Sequence, residues 1–398
     1  MEIIKTTDEF KKFVEQTKSK EGYKDPIAFG IARVDRGIVD HNKVLQATFP
    51  VINYNENFGS AAVFIAALQE AGEIINFDES ESIHYVDFNF LHACKNIFNP
   101  YLEEAKGDAH KNVQVINTLF ELAHEDGIAH GEYRIVFLFE DDSPKSVEAV
   151  YLKLYALSLA KVELRKINLN GAFGVLPNVA WAGNQPIELD YLRQNEIELK
   201  FRNEYPEITS VDKFPRFLQH IIPADNTRIL DSSKVRMGAQ LAAGTTVMPG
   251  ASYINFNAGT LGPVMVEGRI SSSAIVGSGS DVGGGASILG VLSGTDGNPI
   301  SIGENTLLGA NSTCGIPLGD GCIIDGGLAI LAGTKVSIDD KNLKAINEVN
   351  KDANLNNNIL KAANLSGLNG IHFRQDSTTG KIVATRSKRE IKLNSELH

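Results

Sequence analysis

Cysteines and long apolar runs are both scarce in this sequence of 398 residues. The three cysteines, Cys94, Cys314 and Cys322, show no CxxC spacing, so we expect reduced thiols. No segment approaches the roughly 18 uninterrupted apolar residues that a membrane-spanning helix needs. The charged stretch that follows residues 1–5 is unlike the apolar core of a secretory signal. These absences predict a cytoplasmic protein without a membrane partner.

An excess of positive charge is also missing. The chain has 38 lysine and arginine residues against 49 aspartate and glutamate residues, which gives a formal net charge of −11. Nucleic acids are bound through an excess of basic residues, so we expect no nucleic-acid partner. Hydrophobic residues make up 43% of the chain, enough for a sizeable core, and its length favours two domains or one domain with large additions.

A change of composition near residue 226 divides the chain. Residues 1–226 alternate strand-like and helix-like segments, which predicts an α/β domain. We expect a small C-terminal segment of helix and strand at 346–398, with its helix starting at Ile359. In the first domain the predicted strands cover 26–34, 44–54 and 133–139, and the predicted helices cover 60–71, with Ser60 as cap, and 146–164.

Between these parts, residues 227–345 show aliphatic side chains at every sixth position. A helix repeats about every 3.6 residues and a strand about every 2, whereas a period of six is typical of a parallel β-helix built from hexapeptide repeats. The period breaks at 255–267 and at 293–299, and the second, turn-rich break is expected to project from the coil near the binding site. The predicted core positions form four series: Ile229, Val235, Leu241 and Val247; Val276, Val282 and Ile288; Ile302, Leu308 and Cys314; and Ile316, Cys322 and Leu328.

Histidine is absent between His220 and His372, so the predicted coil has no imidazole. This excludes both the histidine base of many β-helix acyltransferases and a zinc site of three coil histidines. Among the carboxylates, Glu267 follows a break in the repeat and has apolar neighbours, which leaves open a general base and a structural ion pair with Arg269. The other coil carboxylates are Asp231, Asp281, Asp296, Glu304, Asp320 and Asp325, and most of them are predicted to be solvated turn residues.

Several motifs resemble the tetrahydrodipicolinate N-succinyltransferases of the longer bacterial type. The resemblance is dense over residues 228–336 and weak over most of the N-terminal part. It implies a homotrimer of left-handed parallel β-helices with no permanently bound cofactor. The motifs are NFNAGTLG at 255–262, MVEGRIS at 265–271, the glycine-rich 277–287, LLGANS at 307–312, and the short stretches 214–216, 365–367 and 373–377.

The resemblance also implies the reaction. Succinyl-CoA would donate a succinyl group to tetrahydrodipicolinate, or to its opened amino-keto form, in diaminopimelate and lysine biosynthesis. A hexapeptide-repeat acyltransferase with another acyl donor or amine acceptor is the first alternative, and a β-helix that serves only as a scaffold is the second.

The catalytic glutamate of the family falls on Glu267, as an acyl-anhydride nucleophile or as a general base. Arg269 would bind a carboxylate, Ser287 would donate a hydrogen bond, and Lys361 and Arg374 would serve the phosphates of coenzyme A. The family's ligand positions fall on Arg269, Gly284, Ser287, Ala310, Asp325, Gly326, Gly333, Lys361, Arg374, Gln375, Asp376 and Ser377.

This chain departs from the family at two places. Relatives hold magnesium on the trimer axis through an aspartate and a glutamate, but Lys234 and Ala251 stand at these positions, so we expect no metal there. The side chains of residues 325–326 and 374–376 differ from the commoner versions, so backbone contacts are expected from them.

The C-terminal tail is basic in an otherwise acidic chain. It contains Lys381, Arg386, Lys388, Arg389 and Lys392. These residues predict either a solvated strand face or a contact with the phosphates of a coenzyme A donor, because lysine and arginine pair well with phosphate oxygens.

Overall fold

The computed structural model describes residues 2–125, 127–291, 295, 297–388 and 393. The chain forms two compact units, Met1–Ala156 with Ile167–Phe214, and Leu157–Lys166 with Pro215–His398.

The division falls ahead of the compositional change near residue 226. Residues just after Phe214 already bond to the coil, since the amide of Phe217 donates to Val235 and the amide of Met237 donates to Pro215, both at 3.0 Å. The segment 346–398 belongs to the same unit as the coil, because its strands extend one of the coil's sheets.

The first unit contains the elements that precede the coil. In chain order they are α1 (Thr7–Lys18), β1 (Ala28–Arg36), β2 (Val44–Thr48), β3 (Asn53–Tyr54), α2 (Phe58–Glu70), β4 (Glu81–Tyr85), α3 (Phe88–Phe98), α4 (Lys111–Glu125), β5 (Tyr133–Leu138), α5 (Val147–Ser158), α6 (Ala172–Val175), β6 (Val179–Ala182), β7 (Gln185–Glu188), α7 (Leu189–Phe201) and β8 (Ser210–Asp212).

Helices pack on antiparallel sheets in this unit. One sheet has the order β2-β1-β5-β4, with β3 also paired to β1, and the other has the order β7-β6-β8. Helix α2 is buried at every position from 61 to 68, so it lies in the core instead of on the surface. The rings of Phe29, Phe64 and Phe137 pack within this core at centroid distances of 6.1–6.3 Å.

Two predicted helix boundaries in this unit were wrong. Helix α2 begins at Phe58 after the left-handed Asn57, so Ser60 lies inside the helix and does not cap it. Helix α5 ends at Ser158 instead of residue 164. Ala160 and Arg165 adopt positive φ angles of 54° and 70°, which a right-handed helix does not contain, and the apolar spacing did not reveal this break.

The second unit contains short strands and one longer helix. In chain order they are β9 (Arg228–Ile229), β10 (Thr246–Val247), β11 (Tyr253–Ile254), β12 (Gly259–Thr260), β13 (Val264–Val266), β14 (Arg269–Ile270), β15 (Ile275–Val276), β16 (Ser280–Val282), β17 (Ser287–Ile288), β18 (Ser301–Ile302), β19 (Leu307–Leu308), β20 (Thr313–Gly315), β21 (Ile323–Ile324), β22 (Ala329–Leu331), β23 (Lys335–Ser337), α8 (Asp340–Val349), β24 (Ile359–Lys361), β25 (Ile371–Gln375) and β26 (Ile382–Arg386).

The described strands wind into a coil in which equivalent strands of successive turns pair in parallel. We call the stacks the first face (β9, β10, β13, β16, β19, β21 and β25), the second face (β11, β14, β17, β20 and β22) and the third face (β12, β15 and β18). The first face buries Val247, Val266, Val282, Leu308 and Ile324, each at most 1% exposed. This arrangement agrees with the predicted parallel β-helix.

The predicted register slips by two residues in the last series. Ile302, Leu308 and Cys314 pair with Leu318, Ile324 and Ile330, and not with Ile316, Cys322 and Leu328. The latter three are also buried, but they precede the paired positions. Leu318 follows Cys314 after a step of only four positions, so a constant period of six cannot follow the chain through this shortened corner.

The first break, 255–267, lies inside the coil, since it contains β12 and β13. Arg165 holds three successive turns beside it. Its amide donates to the side chain of Asn257 at 2.8 Å, and its guanidinium donates to the carbonyls of Ser273 at 2.6 Å and Ile300 at 2.7 Å. In the second break, Ser293, Gly294 and Asp296 lie outside the described residues, so its projection from the coil stays a prediction.

The chain after the coil extends the first face. Strands β25 and β26 form a hairpin, β25 pairs in parallel with β21, and β23 lies between β26 and β24. The predicted helix at Ile359 was wrong, because residues 359–361 form β24, which hydrogen-bonds to β23. Helix α8 was not predicted, although Asp339 caps it by accepting a hydrogen bond from the amide of Asn342. Within the described ranges, no helix has the length and apolar character needed to cross a bilayer.

Candidate functional site

Glu267 stands at one corner of the coil, immediately after the first face. The amide of Glu267 donates to Val282 at 2.8 Å, that of Gly283 to Leu308 at 2.9 Å, and that of Gly309 to Ile324 at 2.8 Å. The amide of Asp325 continues the stack by donating to Phe373 at 3.1 Å. We call this line of residues, 267–268, 283–284, 309–310, 325–326 and 374–375, the Glu267 corner.

The side chain of Glu267 is half-buried and leans over the next turn of the coil. A methyl group added to Gly284 would lie 3.6 Å from Glu267 Oε2, so the carboxylate rests directly beside this glycine. Glu267 and Arg269 form no ion pair with each other among the described residues, so the structural alternative for Glu267 gains no support within one chain. The carboxylate remains available to a ligand.

Arg269 and Ser287 lie around the corner from Glu267, on the second face. They pair directly across β14 and β17, which places their side chains about 4.8 Å apart along the stack. Arg269 is exposed and Ser287 is buried. Glu267 and Gly284 thus lie on one side of this coil corner, and Arg269 and Ser287 lie just past it, two and three residues further along the chain.

Gly284, Ala310 and Gly326 follow one another down the Glu267 corner. The carbonyl of Gly284 accepts from Asn311 at 2.9 Å, and that of Ala310 accepts from Gly327 at 2.8 Å. Ala310 and Gly326 are exposed, and none of the three carries a side chain larger than methyl. The result is a strip of bare backbone that an extended ligand can approach closely.

Asp325 continues the strip with a charged cluster. Its Oδ1 lies 2.6 Å from His372 Nε2, and its Oδ2 accepts a hydrogen bond from Arg374 Nε at 3.3 Å. His372 was not predicted at the site, because it lies outside the predicted coil, in the C-terminal segment. It lies here because β25 pairs with β21, with His372 opposite Ile323. The alternation of Ile371, His372 and Phe373 is the local signal that could have found it.

The hairpin β25–β26 uses some of the predicted binding side chains itself. Asp376 Oδ1 accepts hydrogen bonds from the amide of Thr378 at 2.8 Å and from its hydroxyl at 2.6 Å. The Thr378 hydroxyl and amide, followed by Thr379, lower the pKa of Asp376 to about 2. Gln375 Nε2 donates to the carbonyl of Gly380 at 3.2 Å. Arg374 and Ser377 are exposed.

The remaining predicted binding residues, Gly333 and Lys361, lie near the end of the first face. Gly333 is an exposed turn residue between β22 and β23, with no atom within 4 Å of a methyl group placed on it. Lys361 is exposed on β24 and pairs directly with Lys335 on β23. Four strand spacings, about 19 Å, separate Glu267 from Arg374 along the first face. Gly333, Lys361 and Arg374 all lie at this far end, so they suit the distant end of a long ligand.

At the positions where the resemblance implied magnesium ligands, a lysine reaches across one turn of the coil. Lys234 Nζ donates to the carbonyl of Gly250 at 2.8 Å, next to Ala251. The charge of the lysine would repel a metal ion at this place. The expectation that no metal binds here stays a prediction. Across the described chain, no group of three or more His, Cys, Asp or Glu side chains is arranged to hold a metal ion.

Comparison with known proteins gives matches along the whole chain. Family models described as tetrahydrodipicolinate N-succinyltransferase N-terminal and middle match residues 8–174 and 176–216, and a model described as the hexapeptide repeat of succinyl-transferase matches residues 299–332. The match to the N-terminal part is stronger than its weak resemblance had indicated.

Curated relatives named 2,3,4,5-tetrahydropyridine-2,6-dicarboxylate N-succinyltransferase cover the same length. The chain is 67% identical to that of Sulfurimonas denitrificans and 56% identical to that of Campylobacter jejuni, over 100% of both chains in each case. A Campylobacter jejuni crystal structure, described as a 2,3,4,5-tetrahydropyridine-2-carboxylate N-succinyltransferase, matches with a TM-score of 0.92 and 55% identity over 98% of this chain and 100% of that chain.

These matches confirm the resemblance, the α/β N-terminal part and the parallel β-helix. The chain belongs to the tetrahydrodipicolinate N-succinyltransferase family, the hexapeptide-repeat acyltransferases of diaminopimelate and lysine biosynthesis.

Proposed function

We propose that this chain transfers a succinyl group from succinyl-CoA to the amino group of the opened form of tetrahydrodipicolinate. The observation that carries the proposal is the Glu267 corner. One line of the coil presents the carboxylate of Glu267 at one end, bare backbone in the middle, and at the far end the guanidinium of Arg374, which is hydrogen-bonded to Asp325. A long thioester donor that ends in phosphates matches this order of groups.

Glu267 is the group that acts at the thioester. As a general base it takes the proton of the amine, whose nitrogen attacks the succinyl carbonyl while the thiolate of coenzyme A leaves. As a nucleophile it attacks that carbonyl itself, expels the thiolate and forms an anhydride that the amine then opens. In both routes the proton lost by the amine passes to the departing thiolate, so one thioester and one amine give one amide and one thiol.

Arg269 and Ser287 bind the polar ends of the substrates. The guanidinium of Arg269 is exposed and forms no ion pair among the described residues, so its planar fork is free to bind a carboxylate of the acceptor or of the succinyl group. Ser287 lies next to it and donates a hydrogen bond. A succinyl group carries a terminal carboxylate that an acetyl group lacks, so these contacts favour the larger acyl group.

The active assembly is a homotrimer of left-handed parallel β-helices, with the Glu267 corner facing a neighbouring subunit. The family resemblance and the hexapeptide repeat support this arrangement. Apolar side chains on the coil support it as well, since Leu261 is 61% exposed and Leu331 is 44% exposed in the single chain. Symmetric packing would remove such surfaces from water.

A thiol-release assay tests the reaction directly. We expect rapid release of coenzyme A only when succinyl-CoA and the cyclic dicarboxylate are both present, with kcat/KM for acetyl-CoA lower by about tenfold or more, since the acetyl group leaves Arg269 unpaired. Equal or faster transfer from acetyl-CoA would support an acyltransferase of different donor specificity instead.

His372 positions the end of the strip through Asp325. We expect His372→Phe to raise the KM for succinyl-CoA by about tenfold, because Asp325 loses one hydrogen bond and no longer holds Arg374 in place. The kcat should stay within about twofold, because Glu267 lies several turns away.

His372→Gln keeps an N–H donor and should restore most of the affinity for the donor, which a purely structural role of the ring would not predict. Steady-state kinetics of both variants check this. An unchanged KM in His372→Phe would show that Asp325 needs no help from the imidazole.

A further inference from the structure

Three lysines form a row across the end of the first face. Lys335 on β23 is the direct partner of Lys361 on the antiparallel strand β24. On its other side β23 pairs in parallel with β26, Val336 with Ile382, which places Lys381 beside Lys335. The order across the sheet is therefore Lys361, Lys335, Lys381, and we call these residues the lysine row.

All members of the row point away from the core. Val336 is 0% exposed and its partner Ile382 is half-buried, so the residues that precede them, Lys335 and Lys381, face outward. Lys361 shares the face of Lys335, because directly paired residues lie on the same side of a sheet. Neighbouring strands are about 4.8 Å apart, so the row spans about 10 Å.

The positive charge of this row is not compensated within the described chain. None of the three lysines forms an ion pair with a described residue. The carboxylate of the β25–β26 hairpin, Asp376, accepts hydrogen bonds from Thr378 and Thr379. Like charges placed directly opposite each other destabilise a sheet. A row of cations in a chain of net charge −11 is therefore suited to bind an anion with several charges.

We propose that Lys335 is the centre of a site in which the lysine row binds the phosphates at the nucleotide end of the acyl donor. This proposal rests on the proposed function and extends it to Lys335 and Lys381, and it makes the enzyme selective for donors that carry these phosphates. Gly333 lies two residues before Lys335, and Asp376 bonds through its amide to the carbonyl of Lys381 at 2.9 Å. The row thus includes one predicted donor-binding residue, Lys361, and the predicted residues 333 and 374–377 lie beside it in the chain or in the hairpin.

Lys335→Gln tests the site with two donors. With succinyl-CoA we expect the KM to rise by about tenfold or more, since a charge-assisted contact to phosphate is lost, while the kcat and the KM of the acceptor stay within about twofold. With succinyl-pantetheine, which lacks the nucleotide phosphates, the variant and the unaltered enzyme should have equal KM values. Raising the ionic strength should reduce the difference in KM for succinyl-CoA between Lys335→Gln and the unaltered enzyme, because salt screens the charges.

Two further variants serve as controls. Lys351→Gln removes the same charge from an exposed turn after α8 and should leave both donors unaffected. Lys335→Arg keeps a cation and should recover most of the affinity for succinyl-CoA. Thermal unfolding should show all three variants to be folded, because the altered side chains are exposed.

The proposal is overturned if Lys335→Gln leaves the KM for succinyl-CoA unchanged, or raises it equally for succinyl-pantetheine. If the unaltered enzyme releases no thiol, the proposed function fails, and calorimetry with coenzyme A alone then decides about the row. If coenzyme A binds tightly to the unaltered enzyme and about tenfold more weakly to Lys335→Gln, the lysine row is still a phosphate-binding site. If coenzyme A does not bind, the proposal for the row fails together with the proposed function.

Discussion

Glu267→Gln is expected to lower the kcat of transfer by about 10³-fold or more while the fold and the oligomeric state stay unchanged. The amide of glutamine has nearly the size of the carboxylate, but it can neither accept the proton of the amine nor attack the thioester. Glu267 is half-buried at a coil corner and supports no neighbouring side chain through a described ion pair, so its replacement should not disturb the core.

The measurement compares thiol release by Glu267→Gln with that by Glu304→Gln. Glu304 is an exposed carboxylate of another coil corner, whose amide bonds to Asp320 at 2.8 Å, so its replacement should leave the rate unchanged. Sedimentation of both variants shows whether the assembly is intact. A Glu267→Gln enzyme that kept its kcat within about tenfold would remove this residue from the mechanism.

Mixing enzyme and succinyl-CoA without the acceptor separates the two roles of Glu267. An anhydride intermediate requires the thiolate to leave first, so the unaltered enzyme would release about one coenzyme A per active site and Glu267→Gln none. A general base has no proton to take before the amine arrives, so neither enzyme would release thiol.

The coil was predictable from the sequence because its signal is local. A buried aliphatic residue recurs about every six residues, which is the length of one side of the coil. Val247, Val282, Ile288 and Leu308 are all buried as this period predicted. The same rule failed at the shortened corner before Leu318, where the period no longer describes the chain. Handedness has no local signature of this kind, and it therefore remains part of the proposal.

The site was predictable only in part. Glu267 and Gly284 follow paired strands of adjacent turns, so the coil register brings them together once the β-helix is assumed. His372 reaches the same corner through pairing of β25 with β21, where Ile324 and Phe373 are 49 residues apart in sequence. Such long-range pairing leaves no periodic trace, so neither His372 nor the lysine row could be placed from spacing alone.

The space beside Glu267 can be filled without disturbing the coil. A methyl group on Gly284 would lie 3.6 Å from Glu267 Oε2, an ordinary contact, and Gly284 does not have a positive φ angle. Gly283 differs, because a methyl group there would lie 2.6 Å from the carbonyl oxygen of Leu308 and 3.1 Å from the amide nitrogen of Ala310. Alanine at position 284 should therefore affect activity, whereas alanine at position 283 should affect stability.

We expect Gly284→Ala to unfold at the temperature of the unaltered protein but to lose about 10²-fold in kcat/KM, because the methyl group takes the place where the donor must approach the carboxylate. Gly283→Ala should instead lose about 1–3 kcal/mol of stability, because the backbone of the next turn has to shift. Thermal unfolding and steady-state kinetics on both variants provide the measurements. A fully active Gly284→Ala would mean that no substrate passes beside Glu267 at this glycine, and the Glu267 corner would then lose its role as the path of the donor.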